Sequence, residues 1–413
     1  MHVLVVSHYF HPEGFPINHI SELLAGQVES VTVLTGQPNY PEGRVFKGYR
    51  AWGFGRERTP QGVEVLRLPV VPRGSGRALR LAANYLSFMA SLAVFGPFRL
   101  WGRPIDVVFV YAPSPLLKAL PAILLKRIKK APMVVWVQDL WPESLSATGF
   151  VKRPFLLRMV EHAVRYIYRH SDVILVQSDE FVGSVAGYAP PGKDIRVHYN
   201  SVPPQMIPAD ASTEPPPTDA LAPGRFNVVF AGNLGKAQAL DTILDAAALL
   251  RSRDDIRFVL VGSGSESAHV TARIASEKLD NVVMAGRFAP EQMSGVFSHA
   301  SALLATLRRD PIMGLTIPSK LPVYLATGKP VIAAMDGAGA RVVTEAQAGL
   351  ACPAEDPQAL AQAVSTLADS SVAQRQMMGE RGKRYYADRF EANRLVRDLV
   401  KHLRSAIAGE KQA

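Results

Sequence analysis

The sequence predicts an α/β protein with two doubly wound domains, each a mostly parallel β-sheet covered by helices on both faces. Three observations lead to this prediction: a length of 413 residues, short apolar strands alternating with helix-length segments, and one proline-rich break in that alternation. A chain of this length is too long to fold around a single hydrophobic core of ordinary size. Near-continuous apolar strands with helical crossovers are typical of parallel sheets.

The first half of the chain contains seven strand candidates separated by helix-length segments. The strands are 2–7, 30–35, 62–68, 106–111, 133–138, 173–178 and 195–200. The helices are 17–27, 79–98, 114–130 and 153–169. The opening segment MHVLVVSHYF has neither a basic stretch nor a cleavage signal, so we interpret it as a strand rather than a signal peptide. We expect residues 1–202 to form the first domain.

The second half repeats the alternation after a proline-rich segment, 203–224, which we interpret as the interdomain linker because its prolines can continue neither a helix nor a strand. The following strands are 226–232, 256–262, 281–286, 301–307 and 330–334. The helices are 238–252, 265–278, 290–297, 319–327, 340–347, 357–368, 371–387 and 391–408. We expect residues 225–390 to form the second domain.

The composition excludes several classes of protein. A single cysteine, Cys352, rules out a disulfide framework and a cysteine-based zinc site, and it fits a reducing compartment such as the cytoplasm. The net charge of +10 calls for an anionic partner. No nucleic-acid-binding motif is present, so nucleic acid is disfavoured. The excess of positive charge is unevenly distributed along the chain, with ten Lys or Arg against three acids between Lys118 and Arg169.

One apolar stretch, 81–98, barely reaches the length of a membrane span and contains three polar residues. A core helix or an interfacial helix is favoured over a transmembrane one. Together with the basic region 118–169, which is alternatively an ordinary solvated surface, the stretch suggests docking to the inner face of an anionic plasma membrane.

Three strand-to-helix turns of the second domain suit an anion. Gly232 to Lys236 combines two glycines with a lysine, residues 261–266 are rich in glycine and serine, and Ser319-Lys320 opens a helix without an acid. The turn at Gly14 in the first domain also allows backbone to approach a ligand, although a plain turn is equally open. No Asp-x-Asp pair occurs, and His8, His11 and His19 match no zinc motif. We therefore expect diphosphate to be bound by cations and amides, without a metal or other cofactor.

These motifs resemble those of glycosyltransferase family 4, retaining enzymes of the GT-B fold that use nucleotide-sugar donors, and most closely its WbuB-type branch from bacterial surface-polysaccharide synthesis. The matching segments run through nearly the whole chain: VVSHYFHPEGFPINHI (5–20), VLTGQPNYPEG (33–43), VVWVQDLWPESL (134–145), VFAGNLGKAQALDTILDAA (229–247) and TIPSKLPVYLATGKPVIAAMDGAGA (316–340). The resemblance implies two Rossmann-like domains facing each other across a cleft, an acceptor-side domain first and a donor-binding domain second. It also implies that the last helix, about 391–413, returns to the first domain.

The resemblance further implies a donor site, in which Lys236 and Lys320 also assist departure of the diphosphate. Its predicted members are Gly14, Gly232, Asn233, Lys236, Gly286, Arg287, Ser319, Lys320 and Glu345. Arg287, beside the base, is alternatively a surface arginine. Glu345 is a substitute because the two carboxylates usual in the family are replaced by Leu315 and Val323. Asn233 likewise replaces the usual arginine, and Gln238 stands where a lysine is expected.

Asp139, at the end of a predicted strand, is the candidate catalytic carboxylate, with helix N-capping as the alternative. The sequence thus predicts retaining, metal-independent transfer of a sugar, with UDP-sugars favoured as donors, to a hydroxyl of a lipid-linked saccharide. Two alternatives remain open: a sugar-nucleotide epimerase of the same architecture, and a non-catalytic nucleotide-sugar-binding protein.

Overall fold

The computed structural model describes residues 1–74, 78–147, 153–202, 207, 218–221 and 223–409. The chain divides into two compact units: unit 1 is Met1–Asn200 with Ala392–Ala413, and unit 2 is Ser201–Glu391. Most of the predicted linker 203–224 lies outside the described residues. A two-domain α/β architecture, with Rossmann-like sheets in both units, is confirmed.

Unit 1 contains an eight-stranded sheet in the order β3-β4-β2-β1-β5-β6-β7-β8. Its strands are β1 (His2–Val6), β2 (Ser30–Gly36), β3 (Gly55–Arg58), β4 (Glu64–Leu68), β5 (Val107–Ala112), β6 (Met133–Val137), β7 (Val173–Val176) and β8 (Asp194–Val197). All neighbours pair in parallel except β3, which is antiparallel to β4. The sequence prediction missed β3, because its polar Gly-Arg-Glu-Arg segment at the sheet edge lacks the apolar pattern of the buried strands.

Helices cover this sheet, and the chain's last helix is one of them. They are α1 (Pro16–Ala25), α2 (Ala78–Arg99), α3 (Leu120–Lys129), α4 (Glu143–Ala147), α5 (Pro154–His170), α6 (Asp179–Ala186) and α14 (Ala392–Ala408). Leu399 and Leu403 of α14 are fully buried and join Val3 and Val5 in the core of unit 1. The predicted helix 114–130 is a 3-10 turn, Leu116–Ala119, followed by α3.

Unit 2 contains a fully parallel six-stranded sheet in the order β11-β10-β9-β12-β13-β14. Its strands are β9 (Phe226–Ala231), β10 (Ile256–Val261), β11 (Val282–Gly286), β12 (Ala302–Thr306), β13 (Val331–Ala334) and β14 (Gly349–Cys352). The edge strand β14 was not predicted, because its Gly-Leu-Ala-Cys sequence has neither β-branched residues nor alternation.

The helices of unit 2 connect and cover these strands. They are α7 (Leu240–Leu249), α8 (Ser267–Glu277), α9 (Met293–Ser298), α10 (Lys320–Thr327), α11 (Ala338–Glu345), α12 (Pro357–Asp369) and α13 (Val372–Arg389). In both sheets the strand order reverses beside the first strand, between β1 and β5 in unit 1 and between β9 and β12 in unit 2. Ligands of doubly wound sheets bind beyond the carboxyl ends of the strands at such a reversal.

Among the described residues one helix, α2, has the length and apolar composition needed to cross a membrane. Within its most apolar 18-residue segment, 17% is buried in the protein. This helix matches the predicted apolar segment 81–98.

Candidate functional site

A pocket of about 770 Å³ lies in unit 2 beyond the carboxyl ends of β9, β10 and β11, next to the first turn of α10. This is the position that the strand reversal predicts, and the volume is ordinary for a small-molecule site. The lining residues are Ala231, Gly232, Asn233, Gln238, Val261, Gly262, Ser263, Gly264, Arg287, Phe288, Pro290, Met293, Phe297, Ser319, Lys320, Val323 and Tyr324.

Two glycine-containing loops form one wall of the pocket by packing against each other. The amide of Gly232 donates to the Val261 carbonyl at 2.9 Å, and the amide of Leu234 donates to the Ser263 carbonyl at 3.0 Å. A Cβ atom on Gly262 would lie 1.9 Å from the Gly232 oxygen, so only glycine permits this contact. Two amides of the turn Gly232–Lys236, which the sequence suggested as an anion-binding turn, are therefore used by the two loops to bind each other.

Lys320 is the cation at the centre of the site. It begins α10, and its Nζ donates to Gln238 Oε1 at 2.5 Å and lies 3.8 Å from the centroid of the Phe230 ring. Burial lowers the pKa of Lys320 to about 7. A Cβ atom on Gly232 would approach the ammonium to 3.5 Å, so the glycine keeps the space beside it open. A cation so placed can bind an anion through short charge-assisted hydrogen bonds.

The first turn of α10 adds further donors beside this ammonium. Ser319 precedes the helix, and its side chain makes no capping hydrogen bond. Backbone N–H groups in the first turn of a helix have no intrahelical partner, and they carry the positive end of the helix dipole. The hydroxyl of Tyr324 accepts from the Ala231 amide at 2.9 Å and donates to the Ala231 carbonyl at 3.0 Å, which holds α10 against the end of β9.

The far side of the pocket combines a cation with apolar groups. Gly286 has a φ of +77° and accepts from the Gly262 amide at 2.7 Å, which turns the chain so that the next residue, Arg287, lines the pocket. Phe288 and Met293 also line the pocket, and Phe297 lines it with its ring 5.8 Å from that of Tyr324 in α10. Such a surface accommodates a flat, partly apolar group next to the anion-binding end.

Five of the predicted donor-site residues therefore line one pocket, and other predicted residues of unit 2 do not. Gly232, Asn233, Arg287, Ser319 and Lys320 belong to the lining, whereas Gly286 stands directly before it.

Lys236 and Glu345 lie outside this lining. Lys236 is exposed on the 3-10 turn Lys236–Gln238, and it is Gln238 that reaches the pocket. The carboxylate of Glu345 accepts from Arg341 Nη1 at 2.8 Å and from the Tyr385 hydroxyl at 2.9 Å. Val323, at the position of a missing family carboxylate, lines the pocket, and Leu315 does not.

The two predicted residues of unit 1 occupy loops at the carboxyl edge of its sheet. Gly14 is exposed and follows Glu13, whose Oε1 accepts from the amides of Asn39 and Tyr40 at 2.8 and 2.7 Å. Asp139 follows β6, and its Oδ2 accepts from Trp141 Nε1 at 3.1 Å. The roles of Gly14 and Asp139 stay predictions.

Among the residues that the structure describes, no group of three or more His, Cys, Asp or Glu side chains is placed to hold a metal ion. The pocket lining includes polar groups of Lys320, Arg287, Gln238, Asn233 and Ser319. Metal independence stays a prediction.

In comparisons with known proteins, both halves of the chain match family models of glycosyl transferases. Residues 17–201 match the model of the glycosyl transferase 4-like domain, and residues 225–370 match the model of glycosyl transferases group 1. WbjE of Pseudomonas aeruginosa, described as a probable glycosyltransferase, is 23% identical over 57% of this chain and 60% of its own length. WcaI of Escherichia coli (strain K12), assigned to colanic acid biosynthesis as a glycosyl transferase, is 23% identical over 79% of this chain and 82% of its own.

A solved structure supports the same fold. HepE of Anabaena, crystallised in complex with UDP, superposes with a TM-score of 0.68 at 14% identity, over 98% of this chain and 100% of that one. Assignment to the WbuB-type branch stays a prediction. The two family models and the fold together establish that the chain belongs to the family 4 glycosyltransferases with the GT-B fold.

Proposed function

We propose that this chain transfers a sugar from a nucleoside diphosphate donor, with UDP-sugars favoured, to a hydroxyl of a lipid-linked saccharide. The observation that carries the proposal is Lys320, an ammonium beside the open pocket at the strand reversal of unit 2, held by Gln238 at the first turn of α10. Transfer breaks the bond between the sugar's anomeric carbon and the diphosphate oxygen, and it forms a new bond from that carbon to the acceptor oxygen.

The developing negative charge of the leaving diphosphate is the feature that the pocket matches. Lys320 supplies a positive charge, and the N–H groups at Ser319 and Lys320 supply donors at the positive end of a helix. Preorganised donors aimed at developing charge stabilise a transition state more than they would in water. We propose that this stabilisation needs no divalent ion.

The apolar side of the pocket fits the nucleoside. Phe288 and Met293 offer surface to a planar base, and Arg287 offers hydrogen-bond donors at its edge. The similar HepE was crystallised with UDP, which supports a uridine nucleotide here.

The sugar and acceptor ends of the reaction are assigned to unit 1. We propose that Gly14 lets backbone approach the donor diphosphate and that Asp139 stabilises positive charge on the sugar or receives the acceptor hydroxyl proton. The reaction proceeds with retention at the anomeric carbon. The relative WcaI, assigned to colanic acid biosynthesis, supports an acceptor from bacterial polysaccharide synthesis.

The test is turnover of UDP-, GDP- and dTDP-sugars by the purified full-length chain with EDTA present. The expected result is release of a nucleoside diphosphate together with a glycoside product. NMR should show that the transferred sugar has the same anomeric configuration in the product as in the donor. Formation of an epimer of the donor, or calorimetric binding without turnover, would instead establish one of the two alternative functions. Lys320→Ala should lose turnover, whereas Lys401→Ala, which removes an exposed lysine of α14, should retain it.

A further inference from the structure

The asparagine and serine residues of helix α2 are turned inward. Asn84 and Ser91 are buried together with Phe88 and Leu92 on the side that packs against β4 and β2. Asn84 Nδ2 donates to the Val71 carbonyl at 2.7 Å, and Ser91 Oγ donates to the Pro69 carbonyl at 2.6 Å. The inner face of α2 is therefore bound to unit 1 by specific hydrogen bonds as well as by packing.

The outward face of α2 is apolar beyond Arg80, which is exposed in the first turn. An exposed stripe at intervals of four residues consists of Ala82, Leu86, Ala90, Val94 and Phe98. Leu86 is 61% exposed and Phe98 is 72% exposed, and Trp101, just beyond the helix, is 84% exposed. A helix on the surface of a water-soluble domain normally shows the opposite arrangement, with polar residues outward. This reversal indicates that the outward face of α2 meets something other than water.

The neighbouring helices extend the exposed apolar surface. Helix α3 packs against both α2 and α5. It exposes Leu124 and Ile128, and α5 exposes Phe155, Leu156 and Met159. We call the outward surfaces of α2, α3 and α5 the docking face.

The docking face is also strongly basic. Helix α2 carries two Lys or Arg, and α3 and α5 carry three each, against one acid in all three helices. That acid, Glu161, accepts from Arg165 Nε at 3.0 Å. Arg127, Lys130 and Arg158 are exposed. Lys126 is also paired, with Asp172 at 2.6 Å, so the surface combines large apolar side chains with an excess of positive charge.

We propose that the docking face binds an anionic lipid bilayer, with α2 lying in the interface parallel to the membrane plane. Apolar side chains on one face together with Lys and Arg are the features by which interfacial helices bind anionic membranes. A tryptophan at the end of such a helix is favoured at the level of the headgroups. The positive charge selects an anionic lipid surface over an uncharged protein partner. Because the hydrogen bonds of Asn84 and Ser91 hold α2 against the sheet, the helix lies on the membrane rather than crossing it.

The docking face lies in unit 1 and shares no residue with the donor pocket of unit 2. Membrane binding therefore stands or falls independently of the proposed transfer reaction. It also provides a reason for the net charge of +10 that the donor pocket alone does not explain.

The test is co-sedimentation of the full chain with vesicles of phosphatidylglycerol and phosphatidylcholine, compared with pure phosphatidylcholine. We expect strong binding to the anionic vesicles at low salt and weaker binding at high salt, because screening weakens surface electrostatics. Chain that stays in the supernatant with anionic vesicles at low salt, or that binds both kinds of vesicle equally, would overturn the proposal.

Paired variants separate the apolar and the charged contributions. Leu86→Asp with Phe98→Asp should lower binding roughly tenfold or more, because both side chains lose their apolar contact with lipid. Leu249→Asp with Val372→Asp, which alters two exposed apolar residues of unit 2, should not change it. Arg127→Gln with Lys130→Gln should lower binding about fivefold per charge. Arg381→Gln with Arg384→Gln, which removes the same charge from α13, is the matched control.

Circular dichroism and thermal unfolding check that each variant is folded. Equal loss in the test and control pairs would contradict a specific docking face. A change in oligomeric state for Leu86→Asp with Phe98→Asp, without a change in vesicle binding, would assign the face to a second copy of the chain and overturn the proposal.

Discussion

Each of the two sheets has a lysine with a lowered pKa in the connection that leaves the first strand beyond the reversal in strand order, and the two lysines have different surroundings. Lys118 follows β5 in unit 1, and Lys320 follows β12 in unit 2. Burial lowers the pKa of both to about 7. Lys320 contacts Gln238 and the Phe230 ring and lines an open pocket.

Lys118, in contrast, is 1% exposed, and its Nζ makes no hydrogen bond within the described residues. The two lysines thus occupy equivalent positions in the topology of their sheets. Lys320 can contact a ligand, whereas Lys118 is enclosed by the protein. The doubly wound fold supplies the position, and access and partners decide whether the position is a binding site.

The largest expected effect is that of Lys320→Ala on donor binding. Loss of a charge-assisted hydrogen bond to the diphosphate is worth about 1.5–3 kcal/mol, so the dissociation constant for the donor should rise roughly ten- to hundredfold. Calorimetric titration with the preferred sugar nucleotide measures it. Lys118→Met should leave this constant within about twofold. Similar losses in both variants would contradict the contrast between the two lysines.

A second effect follows from the pKa of Lys320. The diphosphate of a sugar nucleotide stays ionised near neutral pH, so the charge of Lys320 controls their attraction. Above pH 7 the free protein loses this charge, and donor affinity should fall by up to about tenfold per pH unit until the pH reaches the higher pKa of the complex. Titrations from pH 6 to pH 9 measure the slope. Lys320→Ala should show a flatter profile, and an unchanged slope in that variant would assign the titration to another group.

Sequence reasoning indicated the pocket of unit 2 because several of its lining residues stand in local patterns that suit an anion. Ser319-Lys320 at a helix start without an acid, and glycines after β9 and β10, are features that neighbouring residues define. Most strands of both sheets were predicted for the same reason, since continuous apolar segments are visible in sequence. The edge strands β3 and β14 lack that pattern, so they were missed.

The remaining details of the site depend on contacts between distant segments. Gln238 meets Lys320 across 82 positions of sequence, and no pattern in either segment indicates this hydrogen bond. The amides of Gly232 and Leu234 lie in a turn that the sequence suggested as an anion-binding turn, yet they bind a loop that begins about thirty residues later. Phe230, which supports the ammonium, is one of several apolar residues in a buried strand, and only its register in the sheet distinguishes it.

A third effect tests the contact that distinguishes Lys320 from Lys118. Gln238→Ala removes the acceptor that holds the ammonium, so the side chain should lose its fixed orientation and donor binding should weaken about tenfold. Calorimetry again measures the change. Unaltered binding would indicate that Phe230 and the helix start suffice to position Lys320.

A fourth effect concerns stability. The pKa of Lys118 is about 7 in the folded chain, compared with 10.5 as its ordinary value, so between these limits the unfolded chain binds more protons and stability rises with pH. The slope from this group is roughly 1.4 kcal/mol per pH unit. Lys118→Met should remove that contribution and raise the melting temperature at pH 7 by a few degrees. A lower melting temperature at pH 7 would show that the ammonium has a stabilising role.

The smallest effect is expected for Lys236→Ala. Sequence alone suggests that this lysine binds the diphosphate, because it stands in the same turn as Gly232 and Gly235. In the structure its side chain is exposed on the 3-10 turn Lys236–Gln238, outside the lining of the pocket. An exposed cation outside the pocket acts on the ligand only through solvent-screened electrostatics, which is worth at most about 1 kcal/mol. The dissociation constant for the donor should therefore change by about twofold at low salt and less at high salt. A loss as large as that of Lys320→Ala would show that Lys236 turns into the pocket when the donor binds, and that the turn after β9 contributes its own cation to the site.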